Sequence, residues 1–344
     1  MTAIIDGNTH MLTRTRGPYS VRFRPHEPAA NAMGAGGSVQ LGGDAVDADA
    51  AKLAFSAICD ELKDASTGKV DPEKLRAYAA QALGGPRKVP IGYNNPQGTA
   101  IEISEMALAD GRQRSAKIGP NGFQLVAFDH GIADFTKGDE TQKEITEKLY
   151  PKLEALLLKE MEGAKKVTVF NHGLRASTVA NPPPAAAVNA PVKEAHSDFS
   201  ATIAPQAAAK VAADAGLELT ERYCLVNLWM SVDFANPIMT TPLAFLDHGS
   251  VAPGDVLDNY ALTGGGDAWS GNMERRYRAL VVPNEKHDWV YFPKMVATEA
   301  VIFKQFDSTT SESTVCIHAA CKCDEGPPPL PPRQSVEVRA LVLY

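Results

Sequence analysis

The second half of the chain most constrains the fold, because short β-rich runs alternate there with turns made of Pro, Gly and Asp. Many short strands at fairly regular spacing predict a β-sandwich or barrel of the jelly-roll type. Helical periodicity is weak in this half, apart from a possible helical connection over 262–276. The predicted strands cover 222–232, 239–248, 276–283, 288–295, 300–308, 313–321 and 334–344.

The first half has a different hydrophobic pattern, which predicts helices as well as strands. Apolar residues recur at helical spacing over 47–65 and 140–161, and an Asp-Pro pair opens a third helix over 71–83. Segments 121–130 and 164–172 are predicted as strands. The fold class expected is therefore mainly β with flanking α.

The composition of the chain limits the kinds of function to be considered. The 344 residues carry 34 Lys and Arg against 41 Asp and Glu, for a net charge of -7. This balance argues against a nucleic-acid partner, which requires a basic surface. No apolar run approaches the roughly 18 residues of a membrane span, and the N-terminus shows no signal-peptide pattern. Five cysteines, an odd and sparse number, indicate a reducing, cytoplasmic setting.

The segment "VKEAHSDFSATIA" contains a possible pair of metal ligands, His196 and Asp198. Alternate residues of a strand share a face, so both side chains can reach one point, while Ser197 points away. Two histidines and one carboxylate form the facial arrangement of non-haem Fe(II) oxygenases, which leaves positions open for dioxygen and a co-substrate. His318, in the apolar run "TVCIHAAC", is the predicted third ligand because a buried polar residue needs a partner.

A zinc site is the rival interpretation of the same region. Cys316, His318, Cys321 and Cys323 fall within eight residues. Structural zinc sites bring two separated pairs together, whereas alternation places Cys316 and His318 on one strand face and the other two cysteines on the opposite face. The cysteines are interpreted as small buried residues.

Fifteen residues after His318, the segment "PPRQSVEVRALVLY" contains a possible carboxylate-binding pair, Arg333 and Ser335. The planar guanidinium of Arg meets a carboxylate with two hydrogen bonds, and a hydroxyl adds a third. The pair suits the distal carboxylate of a dicarboxylate such as 2-oxoglutarate. Glu337 and Arg339 share the same strand face by alternation. Either arginine could therefore be the anchor; Arg333 is preferred, and Glu337 is expected to pair with Arg339.

These motifs resemble a known family. The chain is similar to the Fe(II)/2-oxoglutarate-dependent oxygenases that include fungal hydroxylase/desaturase, gibberellin desaturase-like and cephamycin methoxylation proteins. The resemblance covers roughly 120–344. The segments that carry it are "AHSDFS", "LVNLWMSV", "TTPLAFLDHGS", "DWVYFPKMVATEAVIFKQFDS", "CIHAAC" and "PPRQSVEVRALVLY".

The resemblance implies a double-stranded β-helix core over 121–344 and an N-terminal helical extension over 1–120 that packs on the core and helps to form the substrate pocket. It implies Fe(II), 2-oxoglutarate and dioxygen as cofactors. It also implies that His196, Asp198 and His318 hold the iron, and that the co-substrate is anchored by Arg333. Other residues expected at the cofactor are Ser335, Arg339, Asn227 and Trp229.

The activity implied is oxidation of an unactivated C–H bond, by hydroxylation, desaturation or ring formation, in a small secondary-metabolism substrate such as an amino acid. Arg175 and Lys304 are candidate contacts for a substrate carboxylate. Two alternatives stay open at this point. One is an iron-dependent oxidase or cupin-like enzyme that does not use 2-oxoglutarate, and the other is a non-catalytic partner subunit.

Overall fold

The N-terminal residues form a separate unit. The computed structural model divides into compact units over Met1–Arg87 and Lys88–Tyr344. In the first unit, β1 (Met11–Thr13), β2 (Ser20–Arg22) and β3 (Ser38–Gln40) form an antiparallel sheet. The helices predicted over 47–65 and 71–83, and the packing of the extension on the core, lie outside the described residues. The structure describes residues 11–13, 20–22, 38–40, 87–135, 137–176, 188–264, 275–309, 315–325 and 330–344.

From residue 87 onward the chain is mainly β. Its elements, in chain order, are β4 (Arg87–Asn94), β5 (Ile101–Asp110), β6 (Phe123–Ala127), α1 (Asp139–Glu144), α2 (Tyr150–Glu160), β7 (Lys166–Ala176), β8 (Val188–Asn189), β9 (His196–Ser197), α3 (Ala204–Asp214), β10 (Tyr223–Ser231), β11 (Leu243–Leu246), β12 (Val256–Asp258), α4 (Asn259–Leu262), β13 (Ala279–Val281), β14 (Trp289–Tyr291), β15 (Glu299–Asp307), β16 (His318–Ala320) and β17 (Gln334–Leu343). Short 3-10 turns lie at Gly111–Gln113, His248–Ser250 and Arg275–Tyr277.

The strands form two sheets that pack face to face. One has the order β6-β15-β10-β17-β7-β8 and the other β12-β13-β9-β16-β11-β14-β5-β4. Side chains from both sheets share one apolar cluster, which includes Phe123, Trp229 and Phe303 from the first and Phe245 and Val290 from the second. The many non-consecutive neighbours and the shared interior are those of a jelly roll. The predicted fold class is confirmed.

Alternation along β10 decides which residues face the interior. Cys224, Val226, Leu228 and Met230 belong to a cluster on the outer face, where α2 packs against the six-stranded sheet. Successive side chains of a strand point to opposite faces. Asn227 and Trp229 therefore point between the two sheets, where both are fully buried.

The helix predicted over 140–161 is present but interrupted. A π-helical turn, Ile145–Leu149, separates α1 from α2. Pro151 follows this turn and has no N–H to donate to the carbonyl of Glu147, so the regular α-helical hydrogen-bond pattern cannot run through it. The extra residue of the π turn lies where the pattern is broken.

The structure differs from the sequence prediction in two places. Segment 87–110, assigned to the N-terminal extension, forms β4 and β5 of the eight-stranded sheet. Helix α3 was not predicted. Its buried face is made mostly of alanines, including Ala204, Ala207 and Ala208, whose small side chains give a weak periodic signal. Among the described residues, no helix is long and apolar enough to cross a membrane.

Candidate metal centre and co-substrate site

Two neighbouring strands bring the predicted metal ligands together. His196 in β9 and His318 in β16 are direct partners across an antiparallel pair, with ring centroids 4.5 Å apart. Asp198 follows β9, and its Oδ1 lies 3.6 Å from Nε2 of His196. One ligand atom from each of the three residues lies within 4.8 Å of the others, and all three side chains are buried. The structure thus brings the two predicted motifs to one point.

Backbone carbonyls fix the tautomer of both histidines. Nδ1 of His196 lies 2.7 Å from the carbonyl oxygen of Glu194, and Nδ1 of His318 lies 3.3 Å from that of Cys316. A carbonyl oxygen only accepts, so each Nδ1 carries the proton and donates it. Each Nε2 is left with a lone pair, as metal ligation requires. Burial, with contributions from Arg278 and His318, lowers the pKa of His196 to about 3, so the ring is neutral at pH 7.

The two carboxylate oxygens of Asp198 also have different partners. Oδ2 accepts hydrogen bonds from Asn227 Nδ2 and Arg339 Nε, both at 2.7 Å. Oδ1 faces His196. Burial alone would raise the pKa of Asp198, but the positive charge of Arg339 outweighs it and holds the pKa well below its usual value. The group is an anion with one oxygen directed to the ligand cluster.

Gln305 connects the two halves of this cluster, and sequence reasoning missed it. Its Oε1 accepts from the backbone N–H of Asp198 at 2.8 Å and from Oγ of Ser197 at 2.9 Å. Its Nε2 lies 3.4 Å from the carbonyl oxygen of Cys316, which also orients His318. Gln305 is fully buried in β15. A glutamine inside the apolar run "AVIFKQF" was the available signal, since a buried amide needs partners.

Glu194 supports the cluster from the other side and was also missed. Its carboxylate accepts from Arg275 at 2.6 Å and from Arg278 at 3.1 Å, while its carbonyl orients His196. Arg275 also donates to Asn94 at the end of β4. These contacts hold the segment before β9 in place. The side chain of Glu194 is 6% exposed, so its two arginine partners compensate a charge that would otherwise be costly to bury.

Arg333 and Ser335 lie together at the start of β17, as predicted. Arg333 donates from Nε to Ser335 Oγ at 3.0 Å and from an Nη to the carbonyl oxygen of Thr241 at 2.8 Å, and its guanidinium lies 5.3 Å from the centre of the Trp229 ring. Burial and the nearby charge of Arg175 lower the pKa of Arg333 to about 9, so it remains a cation at pH 7.

The other predicted arginine of β17 has different contacts. Arg339 donates from its three nitrogens to Asp198, Asn171 and Glu337, at distances of 2.6 to 3.0 Å. The expected pairing of Glu337 with Arg339 is thus present. Six residues of strand separate Arg339 from Arg333, about 20 Å. Arg339 supports the candidate metal ligand Asp198 and does not share one anion site with Arg333.

The two predicted substrate contacts lie on different faces. Arg175 in β7 is the register partner of Ser335 and shares its face. Lys304 is the register partner of Val226, whose side chain packs in the outer cluster, and its Nζ lies 3.4 Å from Asp307 Oδ2. The structure therefore does not bring Lys304 to the ligand cluster.

The cysteines do not join the candidate metal centre. The cluster of metal-ligating side chains found among the described residues contains His196, Asp198 and His318 and no cysteine. The four described cysteines are buried, and none of them is in a disulfide. Sγ of Cys316 lies near the carbonyls of Leu246 and Ile317, and Sγ of Cys321 near that of Pro242. The geometry does not support the zinc interpretation.

Fold and site define a jelly-roll protein with a buried two-histidine, one-carboxylate cluster beside an arginine. Residues 78–343 match the family described as "Oxidoreductase/YMDC permease-like domain", and the chain belongs to this family.

The chain is also similar to named proteins and to solved structures. The chain is 26% identical over 253 residues to "Alpha-ketoglutarate-dependent dioxygenase phiK" of Fungal sp., covering 71% of this chain and 85% of the relative. It is 26% identical over 279 residues to "Hydroxylase/desaturase poxK" of Penicillium oxalicum, covering 73% and 82%. A variant of the "iron and alpha-ketoglutarate-dependent endoperoxidase NvfI" superposes with a TM-score of 0.59 at 20% identity, covering 75% of this chain and 96% of that structure. This structural likeness establishes the shared fold.

Proposed function

We propose that this chain is a non-haem Fe(II)/2-oxoglutarate-dependent oxygenase that oxidises an unactivated C–H bond of a small secondary-metabolism substrate. The observation that carries the proposal is that each side chain of the ligand cluster directs one polar atom to a common point and binds the protein with its other polar atom. Nε2 of His196, Nε2 of His318 and Oδ1 of Asp198 converge, while the other polar atom of each side chain is held by the protein. The named relatives, which include dioxygenases and a hydroxylase/desaturase, support the same activity.

The residues fit the implied cofactors. His196, Asp198 and His318 would hold the iron with the neutral imidazoles and carboxylate that a facial Fe(II) site uses. Arg333 and Ser335 would hold the distal carboxylate of 2-oxoglutarate. Nε1 of Trp229, below Arg333, is buried and has no hydrogen-bond partner among the described residues, so one more donor is available there. When bound, iron, 2-oxoglutarate and dioxygen supply an oxidant able to attack an unactivated C–H bond, with succinate and carbon dioxide as co-products.

The chain itself positions these groups and limits water. Arg339 and Asn227 keep Asp198 ionised and fix which oxygen faces the cluster. Phe303 packs its ring 4.9 Å from that of His318, and Phe245 packs against Phe303 at 5.1 Å. This apolar wall excludes water from one side of the site, which strengthens the electrostatic interactions inside it.

The same proposal includes a cytoplasmic location and a small-molecule partner. The four described cysteines are buried and not in a disulfide, which suits a reducing compartment, in which disulfides are rare. The net charge of -7 does not suit a nucleic-acid partner.

An anaerobic titration with Fe(II) and 2-oxoglutarate tests the proposal. The chelate has a weak visible charge-transfer band, which we expect in the wild-type protein, and admission of oxygen with substrate should then yield succinate. His196→Ala should abolish the band. Arg333→Ala should weaken 2-oxoglutarate binding, while the exposed Lys159→Ala control should match wild type. Succinate formation that persists in His196→Ala with no iron bound would refute the proposal, and activity of Arg333→Ala without any keto acid would favour an oxidase that does not use 2-oxoglutarate.

A further inference from the structure

A short turn over 240–242 precedes β11 and contacts both the backbone and the side chain of Arg333. The backbone N–H of Arg333 donates to Thr240 Oγ1 at 3.0 Å, and an Nη of its guanidinium donates to the carbonyl oxygen of Thr241 at 2.8 Å. Thr240 Oγ1 in turn donates to the carbonyl oxygen of Pro331 at 3.1 Å. Two consecutive threonines therefore fix the chain just before β17 and the place of its first guanidinium.

Thr241 has an unusual backbone conformation. Its φ is 47°, in the left-handed region that a β-branched residue rarely adopts. Pro242 follows it, and a residue before proline ordinarily adopts an extended conformation. Two local preferences are thus overruled at the residue whose carbonyl contacts Arg333. Such a conformation persists only where the surrounding structure holds it, and such conformations cluster at functional sites.

The same turn is joined to the strand that carries a candidate metal ligand. The backbone N–H and Sγ of Cys321 lie 3.0 and 3.6 Å from the carbonyl oxygen of Pro242. Cys321 directly follows β16, and β16 pairs with β11 so that His318 lies opposite Phe245. The turn therefore connects the strand of His318 with Arg333. A ligand held at both places requires a fixed separation between them.

We propose that Thr240 and Thr241 are positioning residues for the co-substrate, which hold the guanidinium of Arg333 at a fixed separation from the candidate metal ligands. The ligand class concerned is a 2-oxo acid with a distal carboxylate. Thr240 acts through the backbone of Arg333, and Thr241 acts through its guanidinium. The inference rests on the proposed function and adds two residues to the site that would hold the distal carboxylate.

The first test measures the Kd of 2-oxoglutarate in the anaerobic Fe(II) complex of the full chain, from its visible band. Thr240→Val removes the hydroxyl and keeps the side-chain shape, so the Kd should rise about fivefold to tenfold, as for one lost hydrogen bond. Thr240→Ser keeps the hydroxyl and should stay within about twofold of wild type. Thr146→Val is the matched control, because Thr146 is exposed and its hydroxyl donates to carbonyl oxygens one turn earlier.

A double-mutant cycle shows whether the effect depends on the arginine. In the Arg333→Leu background, Thr240→Val should change the Kd of 2-oxoglutarate by less than about twofold. The Kd of 2-oxovalerate, which has the same chain length and no distal carboxylate, should change equally little in Thr240→Val. The affinity of the apo protein for Co(II) should match that of wild type, because the three candidate metal ligands are unchanged.

Thr241 is tested through its backbone conformation. Gly adopts a positive φ without strain, so Thr241→Gly should keep the Kd of 2-oxoglutarate within about twofold and should not lower the Tm. Pro fixes φ near about −65° and turns the carbonyl away from Arg333. Thr241→Pro should therefore raise this Kd about tenfold or more and retain Co(II) affinity.

Three results would overturn the inference while the oxygenase proposal stands. One is an equal loss of affinity for 2-oxoglutarate and 2-oxovalerate in Thr240→Val, and another is the same loss in the Arg333→Leu background; either would show that Thr240 supports only the fold. The third is an unchanged Kd of 2-oxoglutarate in both Thr240→Val and Thr241→Pro. If the wild-type protein forms no band with Fe(II) and 2-oxoglutarate, the inference and the proposed function both fail.

Discussion

At the scale of single residues, the candidate metal centre depends on side chains that contact the ligands without binding the metal. Gln305 is the clearest case, because one amide holds the backbone before Asp198 and the carbonyl that orients His318. Replacing it with Leu removes both contacts and leaves a buried N–H unsatisfied. We expect Gln305→Leu to weaken Fe(II) affinity about 10- to 100-fold, as losses of outer-shell partners do.

Metal titration of the apo protein, followed by the absorption of bound Co(II) as an Fe(II) substitute, measures this effect directly. Gln206→Leu is the matched control, because Gln206 is exposed on α3 and its amide donates to the carbonyl oxygen of Thr202 in its own helix region. Equal affinities in the two variants would show that Gln305 does not position the ligands.

Ser197 and Asp198 give a second, paired prediction. Ser197 Oγ donates to Gln305 Oε1, so Ser197→Ala should cost about 1 kcal/mol of stability. The N–H of Asp198 keeps its own bond to that oxygen, and metal affinity should be little changed. Asp198→Ala removes a ligand and leaves Arg339 without the carboxylate it contacts, so iron binding should be lost. Metal content after equilibrium dialysis distinguishes the two; loss of iron in Ser197→Ala would contradict the proposed geometry.

At the scale of elements, helix α2 packs its apolar face on the six-stranded sheet and so stabilises it. Leu153 and Leu157 are fully buried in an apolar cluster that also contains side chains of β7, β10 and β17, whereas Leu158 on the same helix is 43% exposed. Leu153→Ala should lower the free energy of unfolding by about 2–5 kcal/mol, because it removes buried apolar area and leaves a cavity. Leu158→Ala should change it by less than about 0.5 kcal/mol. Urea unfolding measures both, and equal losses would show that α2 is not anchored through this face.

The sequence was sufficient to predict the elements with strong periodicity. The runs that became β10, β15 and β17 are dense in apolar residues because both faces of each strand are covered. Helix α3 was missed because its packing face is alanine, and β5 because its partner β14 is distant in sequence; β4 lies beside β5 at the edge of the sheet.

For the candidate site too, local patterns were predictable and contacts between distant segments were not. The H-x-D pair and the single strand histidine were visible as patterns, since their chemistry depends on local spacing and residue type. Contacts between distant segments were not visible. Gln305 meets Ser197 across 108 positions, and Arg339 meets Asp198 across 141. Register between β10, β17 and β7 sets such meetings, and register is a property of the assembled sheets.

At the scale of the whole molecule, neutral histidines that are buried or half-buried connect distant segments on both sheets. His287 lies between Tyr93 of β4 and Asp255 before β12, and His172 in β7 lies between Tyr150 of α2 and Gln142 of α1. Burial lowers the pKa of both; Asp255 opposes the shift at His287 without cancelling it. The pKa is lowered at all six described histidines: His130, His172, His196, His248, His287 and His318.

These shifts predict an acid-labile fold. An unfolded histidine has a pKa near 6.5, so below about pH 6.5 the unfolded chain binds protons that the folded chain does not. Stability is therefore greatest above this pH and falls as pH decreases. Carboxylates with lowered pKa, such as Asp258, where hydrogen bonds from Thr202 and Ala261 outweigh burial, lose their contribution only nearer pH 4. Histidines thus set the slope between pH 7 and 5.

Thermal unfolding of the metal-free protein, in chelator at pH 8, 7, 6 and 5, tests this expectation. The Tm should be nearly constant from pH 8 to 7 and should fall steadily from pH 6.5 to 5. His172→Gln removes one titrating group while keeping a side chain that can hydrogen-bond to Tyr150, so its Tm should fall less steeply than that of wild type. A Tm that stayed constant down to pH 5 would mean that these histidines take up protons equally in the folded and unfolded chain, and the lowering of their pKa by folding would be refuted.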